Sequence, residues 1–250
     1  MAGISANSLF HFTKYENLVG ILTHEFYPRY SVEEHPDSAG NSHKMAFPMV
    51  CFCDIPLAHI SEHMSTYGEY GLGMTKQWAI ANRLNPVLYV EKTSWVSEKL
   101  EHILAGNWES VNALPIKQFL EERDSAVALY MHTKPYDGYQ ERNGVRIRKC
   151  FYDEREWRYV PRISRLDGHE LHLTGDNLAP SILEAKNDML KAQKIGFEPK
   201  DIQYIIIGKE AERLQVIESI EAIKSAKYDS SQVKLLSSKI VSAEQIEGDI

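Results

Sequence analysis

The sequence predicts an α+β domain with a mixed sheet and flanking helices. Two observations predict it: short segments with period-two alternation recur through the first two thirds of the chain, and the last third has the order strand, helix, strand. No linker rich in Pro, Gly or Ser separates independent units. We therefore predict a body over residues 1–175 and a C-terminal β-α-β extension of the same domain over residues 176–250.

The N-terminal elements begin with an apolar strand at residues 8–12. Thr13 and Glu16 then have the spacing of a capping box, which predicts a helix that ends near His24. Residues 29–44 are polar and contain Pro and Gly, so they predict a long loop. Residues 49–53 predict a buried strand, after which Asp54 is expected to cap a short helix.

The rest of the chain alternates between turns, strands and helices. Gly-rich residues 67–74 predict a turn and a strand, and Thr75 is expected to cap the helix that follows. Further strands are predicted at 86–90, 145–151 and 154–160, a turn-rich segment at 133–144 and an amphipathic helix at 116–132. In the extension, helices are predicted at 182–194 and 210–224, and strands at 202–207 and 233–236.

Composition describes an ordinary acidic globule. The 250 residues include 28 Lys and Arg and 35 Asp and Glu, which gives a net charge of −7. Since 43% of the residues are hydrophobic, the composition excludes disordered and fibrous proteins. No apolar run has the length of a membrane span, and the N-terminus lacks a secretory signal pattern. Three cysteines without framework spacing indicate a reducing compartment, so we expect a cytoplasmic protein.

Two carboxylates near the end of the body are candidate catalytic residues. On a strand, Glu154 and Glu156 project from one face together with Tyr152 and Arg158, and two carboxylates on one face repel unless a cation pairs with them. Arg155 and Arg158 are available partners. The alternative interpretation is a salt-bridged strand face exposed to solvent.

His11 and two tyrosines are candidate ligand contacts. His11 and Thr13 lie where a strand meets a helix start, a place at which backbone N–H groups point outward. Tyr67 and Tyr70 flank the glycine-rich turn, and a tyrosine face stacks well on a planar ring. The alternatives are a half-buried histidine, a helix cap at Thr13 and tyrosines packed on the core.

A third pattern, His59-Ile-Ser-Glu62-His63, fits the H-x-x-E-H motif of inverted zinc peptidases. Histidines at i and i+4 can share a Zn²⁺, with Glu62 as general base, and Cys51 and Cys53 are nearby thiols. No third ligand is marked, so two histidines on a helix flank is the favoured interpretation, and we expect no metal.

Four cations lie within eight residues, and they form a candidate phosphate or nucleic-acid contact. The alternative is a solvated face that balances neighbouring acids, Asp153 and Glu154. The acidic total disfavours indiscriminate nucleic-acid binding, so a nucleic-acid partner would have to use this patch. Its members are Arg142, Arg146, Arg148 and Lys149.

Taken in order, several motifs resemble the AbiGi family of abortive phage resistance proteins. They span roughly residues 8 to 225: LFHFTKYENLVGIL at 9–22, CFCDIPL at 51–57, HMSTYGEYGLGMTKQW at 63–78, NPVLY at 85–89 and YDEREWRYVP at 152–161. The resemblance implies a phage-defence protein on the antitoxin side of a two-gene system. It also implies a partner, either a cognate toxin or antitoxin or a phage-derived trigger.

More distantly, the His-x-Thr start and the late glutamate resemble the ADP-ribosyltransferase superfold, including DarT-like toxins and poly-ADP-ribose polymerases. This resemblance implies NAD as co-substrate. His11 and Thr13 would contact the adenosine ribose, Tyr67 or Tyr70 would stack on nicotinamide, and Arg29 would contact the phosphates. Glu156, with Glu154 as the second choice, would orient the nicotinamide ribose and stabilise the positive charge that develops on it.

The leading hypothesis from the sequence is therefore an abortive-infection enzyme with an ADP-ribosyltransferase-like fold that transfers ADP-ribose from NAD to a nucleic acid or a protein. The alternative is a non-catalytic antitoxin that binds and restrains a toxin. A zinc-dependent hydrolase using His59, Glu62 and His63 is the third hypothesis.

Overall fold

A computed structural model describes residues 6–36, 41–105, 124–142, 144–163 and 168–249. The strands are β1 (Ser8–Thr13), β2 (Arg29–Pro36), β3 (Ser42–Cys53), β4 (Tyr70–Thr75), β5 (Asn85–Pro86), β6 (Leu88–Val90), β7 (Thr133–Pro135), β8 (Asp137–Arg142), β9 (Val145–Cys150), β10 (Glu156–Tyr159), β11 (Leu173–Thr174), β12 (Ile202–Ile207) and β13 (Ile240–Ser242).

The helices are α1 (Tyr15–His24), α2 (Ile60–Tyr67), α3 (Lys76–Ala81), α4 (Trp95–Ala105), α5 (124–130 in its described part), α6 (Pro180–Met189), α7 (Arg213–Lys224), α8 (Ser230–Ser237) and α9 (Ala243–Asp249). The helix predicted at 116–132 thus lies partly outside the described residues. None of the described helices is long and apolar enough to cross a membrane.

A nine-stranded mixed sheet organises the molecule, which confirms the predicted α+β class. Its order is β13-β12-β4-β1-β3-β10-β5, and β2 and β11 pair with other parts of the long strand β3. Two further two-stranded sheets, β6 with β7 and β8 with β9, are separate from it. Strand β3 is therefore the central element, because it links β1, β10, β2 and β11.

The predicted C-terminal β-α-β pattern is present. β12 and β13 are parallel neighbours with α7 and α8 between them, and β12 continues the main sheet by pairing with β4. The strand predicted at 233–236 is wrong, since those residues lie in α8. Asp229 caps this helix by accepting from the Gln232 backbone N–H at 2.9 Å. The prediction of a strand followed the apolar residues of this segment and did not use Asp229 as a helix start.

Two predicted loops are strands instead. Residues 29–36 form β2 and residues 42–44 begin β3, and the two strands pair in a register that runs from Arg29 opposite Met49 to Pro36 opposite Ser42. Most residues of β2 are polar, and its one aliphatic residue, Val32, is exposed, so the strand lacks the apolar alternation that marks a half-buried strand. The segment 133–144, predicted to be turn-rich, carries β7 and β8.

Two predicted helix caps are wrong and one is confirmed. Thr13 is the last residue of β1, α1 has no side-chain cap, and the Thr13 hydroxyl accepts from Asn17 Nδ2 at 3.0 Å. Asp54 caps no helix; its carboxylate binds Lys76 Nζ at 2.8 Å and the Ala6 backbone N–H at 3.0 Å. Thr75 does cap α3, since its hydroxyl accepts from the Trp78 backbone N–H.

The sheet separates two apolar cores near β1. Leu9, Phe52 and Trp78 belong to the core under α1, α3 and α7, whereas Phe10 and Cys53 face the core formed with α2 and α9. A third core surrounds Phe47 on the far half of β3. Alternate residues of one strand therefore enter different environments, which decides where each candidate site residue lies.

A buried carboxylate–cation cluster as the candidate functional site

The register of β10 fixes the side on which Glu156 lies. Glu156 is opposite Cys53 on β3, and Cys53 is in turn matched with Phe10 on β1. Directly paired residues of antiparallel strands share a face, so Glu156 and Arg158 lie on the Phe10 side of the sheet and Trp157 on the other. Both charged side chains are buried.

Glu154 reaches the same place by a different route from the one predicted. Residues Phe151–Glu154 form a 3₁₀ turn, and Arg155 has left-handed backbone angles with φ of 46° before β10 begins at Glu156. The prediction of one strand through residues 154–160, with Tyr152, Glu154 and Glu156 on a single face, is therefore wrong. The two carboxylates nevertheless meet, because both bind the same lysine.

Lys134 on β7 is that lysine. Its Nζ lies 2.5 Å from Glu154 Oε2, 2.6 Å from Glu156 Oε2 and 3.9 Å from Glu33 Oε1. Its side chain is only 12% exposed, and its ammonium also lies over the Phe151 ring. Sequence reasoning missed this residue, since it lies in the segment predicted to be a turn.

Arg158 closes the inner end of the cluster. Its side chain is fully buried; Nε donates to Glu156 Oε1 at 2.7 Å and Nη2 to Glu33 Oε1 at 2.5 Å. Nη1 donates to the carbonyls of Met131 and Thr133 at 2.8 and 3.3 Å. Each of the three guanidinium nitrogens therefore has a partner, as a buried arginine requires.

Three groups complete the outer end of the cluster. The Tyr67 hydroxyl donates to Glu154 Oε1 at 2.5 Å, and Lys149 Nζ lies 2.9 Å from the same oxygen. The Tyr89 hydroxyl oxygen accepts the backbone N–H of Glu156 at 2.7 Å. Tyr67 is 41% exposed, so the cluster meets solvent there.

The cluster is balanced in charge and ionised. Burial alone would raise the pKa of Glu156, but the charges of Arg158 and Lys134 overcome it and hold that pKa well below the usual range. The pKa of Glu154 is lowered too, by Lys134 and Lys149 against burial. With Glu33 the cluster contains three acids and three cations, which are Glu33, Glu154, Glu156, Lys134, Lys149 and Arg158. This arrangement suits a structural ion network better than proton transfer.

His11 lies on the opposite side of the sheet from Glu156. It follows Phe10 on β1, packs against the Phe26 and Phe52 rings, and donates Nδ1–H to the Cys51 carbonyl at 2.8 Å. Burial lowers the pKa of His11, so the ring is neutral. The structure therefore does not bring His11 and Glu156 into one site.

The other residues predicted to contact NAD also lie in different places, and only one of them reaches the carboxylate–cation cluster. Tyr67 joins the cluster through Glu154, but Tyr70 packs against Tyr15 near α1, with ring centroids 5.4 Å apart. The Thr13 hydroxyl accepts from Asn17 Nδ2 on α1, and Arg29 begins β2 opposite Met49. Of the predicted residues, the structure brings together Glu154, Glu156 and Tyr67.

The zinc-motif residues have unlike surroundings. His59 and Glu62 are exposed, whereas His63 is buried between Phe12 and Tyr67 and neither of its ring nitrogens has a hydrogen-bond partner. Burial raises the pKa of Cys51 and of Cys53, so both thiols stay protonated. Within the described ranges no group of three or more potential metal ligands occurs.

The basic patch is largely neutralised by acids. Arg146 binds Glu34 at 2.5 Å, Arg148 binds Asp137 at 2.6 Å, and Lys149 belongs to the buried cluster. The side chain of Arg142 lies outside the described residues. These contacts agree with the alternative interpretation from the sequence, a face that balances acids, but of the two acids named there only Glu154 takes part, while Glu34 and Asp137 are additional partners.

Fold and site thus define an α+β protein with a closed ion network where a catalytic pair was predicted. Residues 24–208 match the family model described as "Putative abortive phage resistance protein AbiGi, antitoxin", and the chain belongs to this family. It is also 28% identical over 224 residues to an abortive phage resistance protein AbiGi of Lactococcus lactis subsp. cremoris, covering 81% of this chain and 88% of that protein. No solved structure matches.

Proposed function

We propose that the protein is the antitoxin of an abortive phage resistance system and acts by binding a cognate toxin, without catalysis. The neutralisation of Glu154 and Glu156 carries this proposal. A carboxylate that stabilises charge on a reacting sugar must face the substrate. Here both side chains are 5% exposed and already bind Lys134 at 2.5 and 2.6 Å.

The separation of the remaining NAD candidates supports the same conclusion. A ribose contact from His11 would have to act on the face of the sheet opposite Glu156. Its Nδ1–H is already bonded to a carbonyl and its ring is packed among aromatic side chains. The family description, which names an antitoxin, favours a toxin as the partner over a phage-derived trigger or a nucleic-acid acceptor.

The β8–β9 hairpin is the surface that we assign to the toxin. It pairs with no other described strand, so each of its strands offers an edge to which a strand of a partner could be added. Tyr139, Val145 and Ile147 on it are each about half exposed, and Arg146 lies over the Tyr139 ring at 4.6 Å. Exposed tyrosine and arginine are typical of interface hot spots.

Growth rescue tests the proposal. The partner gene of the system is induced in cells that also express this chain, either wild type or with Ile147→Asp. Wild type should restore growth, and Ile147→Asp should weaken toxin binding about tenfold or more without lowering Tm, since burying an unpaired carboxylate in an interface is costly. Leu214→Asp is the matched control, because Leu214 is exposed on α7, outside the hairpin. Growth arrest by the wild-type chain alone would overturn the proposal.

ADP-ribosyl transfer from NAD is the second candidate, favoured by one observation. Glu156 is rigidly held and ionised, as a charge-stabilising carboxylate must be. Purified wild type and Glu156→Gln are incubated with NAD, and released nicotinamide is measured. The antitoxin proposal predicts no release from either protein; release that Glu156→Gln abolishes would establish the enzyme instead.

A further inference from the structure

A cavity of about 800 Å³ lies outside the carboxylate–cation cluster. Its walls come from the end of α3, the described part of α5, the segment that follows β10, and residues 193–195. Ligand pockets usually measure about 300–1,000 Å³, so the volume suits a nucleotide-sized molecule. None of the residues predicted from sequence as site residues lines it.

Sheet geometry explains why the cavity forms here. The short strand β5 pairs with β10 only through Trp157–Pro86 and Arg158–Asn85. Arg83 lies in the turn between α3 and β5, with φ of 63°, and β10 ends at Tyr159 before Pro161, which has no N–H to donate. Among the described strands none pairs with the outer edge of β5, and Arg83 and Arg162 both line the cavity.

The opposite wall is fixed by contacts with the body. The Tyr159 hydroxyl donates to the Gln193 carbonyl at 3.1 Å, and Ile195 exchanges backbone hydrogen bonds with Phe26 at 3.0 and 3.2 Å. Lys194 forms an ion pair with Glu25 at 3.0 Å. These contacts hold the wall in place without a ligand, so the cavity is preformed.

The charge of the lining favours an anion. Its cations are Arg83, Arg162 and Lys194, and the one acid among the described lining residues is Asp124. Lys194 already has an acidic partner, whereas Arg83 and Arg162 have none within the part of the chain that the structure describes. Two free guanidinium groups beside one cavity match the oxygens of a diphosphate.

Arg83 also occupies a backbone position that favours glycine. It follows α3 with φ of 63°, and the hydrogen bonds Leu84 N–H to Ala79 O and Arg83 N–H to Ile80 O, both 3.0 Å, form the turn that ends the helix. A side chain there costs conformational energy that glycine would avoid. Backbone strain of this kind clusters at ligand-binding sites, so the position of Arg83 favours a role for its guanidinium group in the cavity.

We propose that this cavity binds a nucleoside diphosphate, with its phosphates on Arg83 and Arg162. The apolar wall of Val160, Ile163 and Leu171 faces the same space and provides a surface for the base. This site does not depend on the antitoxin proposal, since it shares none of the hairpin residues.

Calorimetric titration with ADP tests the proposal at low salt. Arg83→Gly and Arg162→Gln should each weaken binding about tenfold to a hundredfold, because each removes charge-assisted hydrogen bonds. Arg83→Gly should keep or raise Tm, since glycine fits the left-handed position, which separates lost binding from lost folding. Arg148→Gln, an exposed arginine on β9, is the control and should bind ADP like wild type.

Three outcomes would overturn the proposal. The first is no heat of binding with ADP at millimolar concentration. The second is equal ADP affinity in wild type, Arg83→Gly and Arg162→Gln. The third is pyrophosphate binding as tightly as ADP, which would remove the nucleoside from the assignment. Tighter binding of ADP than of pyrophosphate or adenosine, lost in both arginine variants, supports it.

Discussion

Replacing Arg158 by methionine tests the carboxylate–cation cluster most severely. Methionine fills much of the same volume but removes the bonds to Glu156 and Glu33 and the two to backbone carbonyls. The cluster then holds three carboxylates against two ammonium groups, Lys134 and Lys149. Because Arg158 is fully buried, water cannot replace the lost charge at the inner end of the cluster.

The expected loss is about 3–5 kcal/mol of unfolding free energy, the usual cost of removing one partner from a buried ion pair. For a protein of this size, that loss corresponds to a Tm lower by about 6–20 °C. Arg148→Met is the matched control. Arg148 binds Asp137 at a similar distance, but its side chain is 73% exposed, so its loss should cost less than about 1 kcal/mol.

Urea denaturation at pH 7, followed by circular dichroism, measures both variants. Adding Glu156→Leu to Arg158→Met should recover stability, because it restores equal numbers of charges. A loss for Arg158→Met no greater than that of the control would refute the reasoning, as would a double variant less stable than the single one.

Two further predictions concern pH and a glycine. Burial lowers the pKa of His11 and of His63 in the folded protein, so below about pH 6.5 the unfolded chain binds more protons than the folded one and stability should start to fall. The pKa of Glu156 is also lowered in the folded protein, which adds a steeper loss of stability below about pH 4.3. Urea midpoints that stay constant from pH 7 to pH 4 would contradict this. Gly68 has φ of 128°, and a Cβ there would lie 2.2 Å from the Thr13 carbonyl oxygen, so Gly68→Ala should cost about 2 kcal/mol or more. Gly20→Ala, in open space on α1, should stabilise by about 0.5–1 kcal/mol, and equal midpoints for the two variants would refute the steric account.

The sequence predicts those parts of the fold that carry a strong local pattern. β1, the helix capped by Thr75, and the succession of β12 and α7 were predictable from apolar periodicity and capping residues, whereas β13 was not. The pairing of β2 with β3 was not predictable, because most residues of β2 are polar and give it the composition of a loop. Its strand conformation comes from pairing with β3, which no local pattern records.

The candidate site was predictable only in part, for a similar reason. Glu154, Glu156 and Arg158 are close in sequence, and a cation was expected near the carboxylates. Two further residues complete the cluster. Lys134 lies 22 residues before Glu156, and Glu33 lies 125 residues before Arg158. Only the tertiary fold brings them together, and the same fold separates His11 from Glu156 across the sheet.

The most direct test of the account is whether Glu156 is needed for toxin neutralisation. Cells that express the cognate toxin are supplied with wild type or Glu156→Gln at 25 °C, with soluble protein levels matched. If Glu156 has a structural role, the folded variant restores growth as wild type does. Failure of a soluble, folded Glu156→Gln protein to restore growth, with the toxin still bound, would contradict a non-catalytic antitoxin.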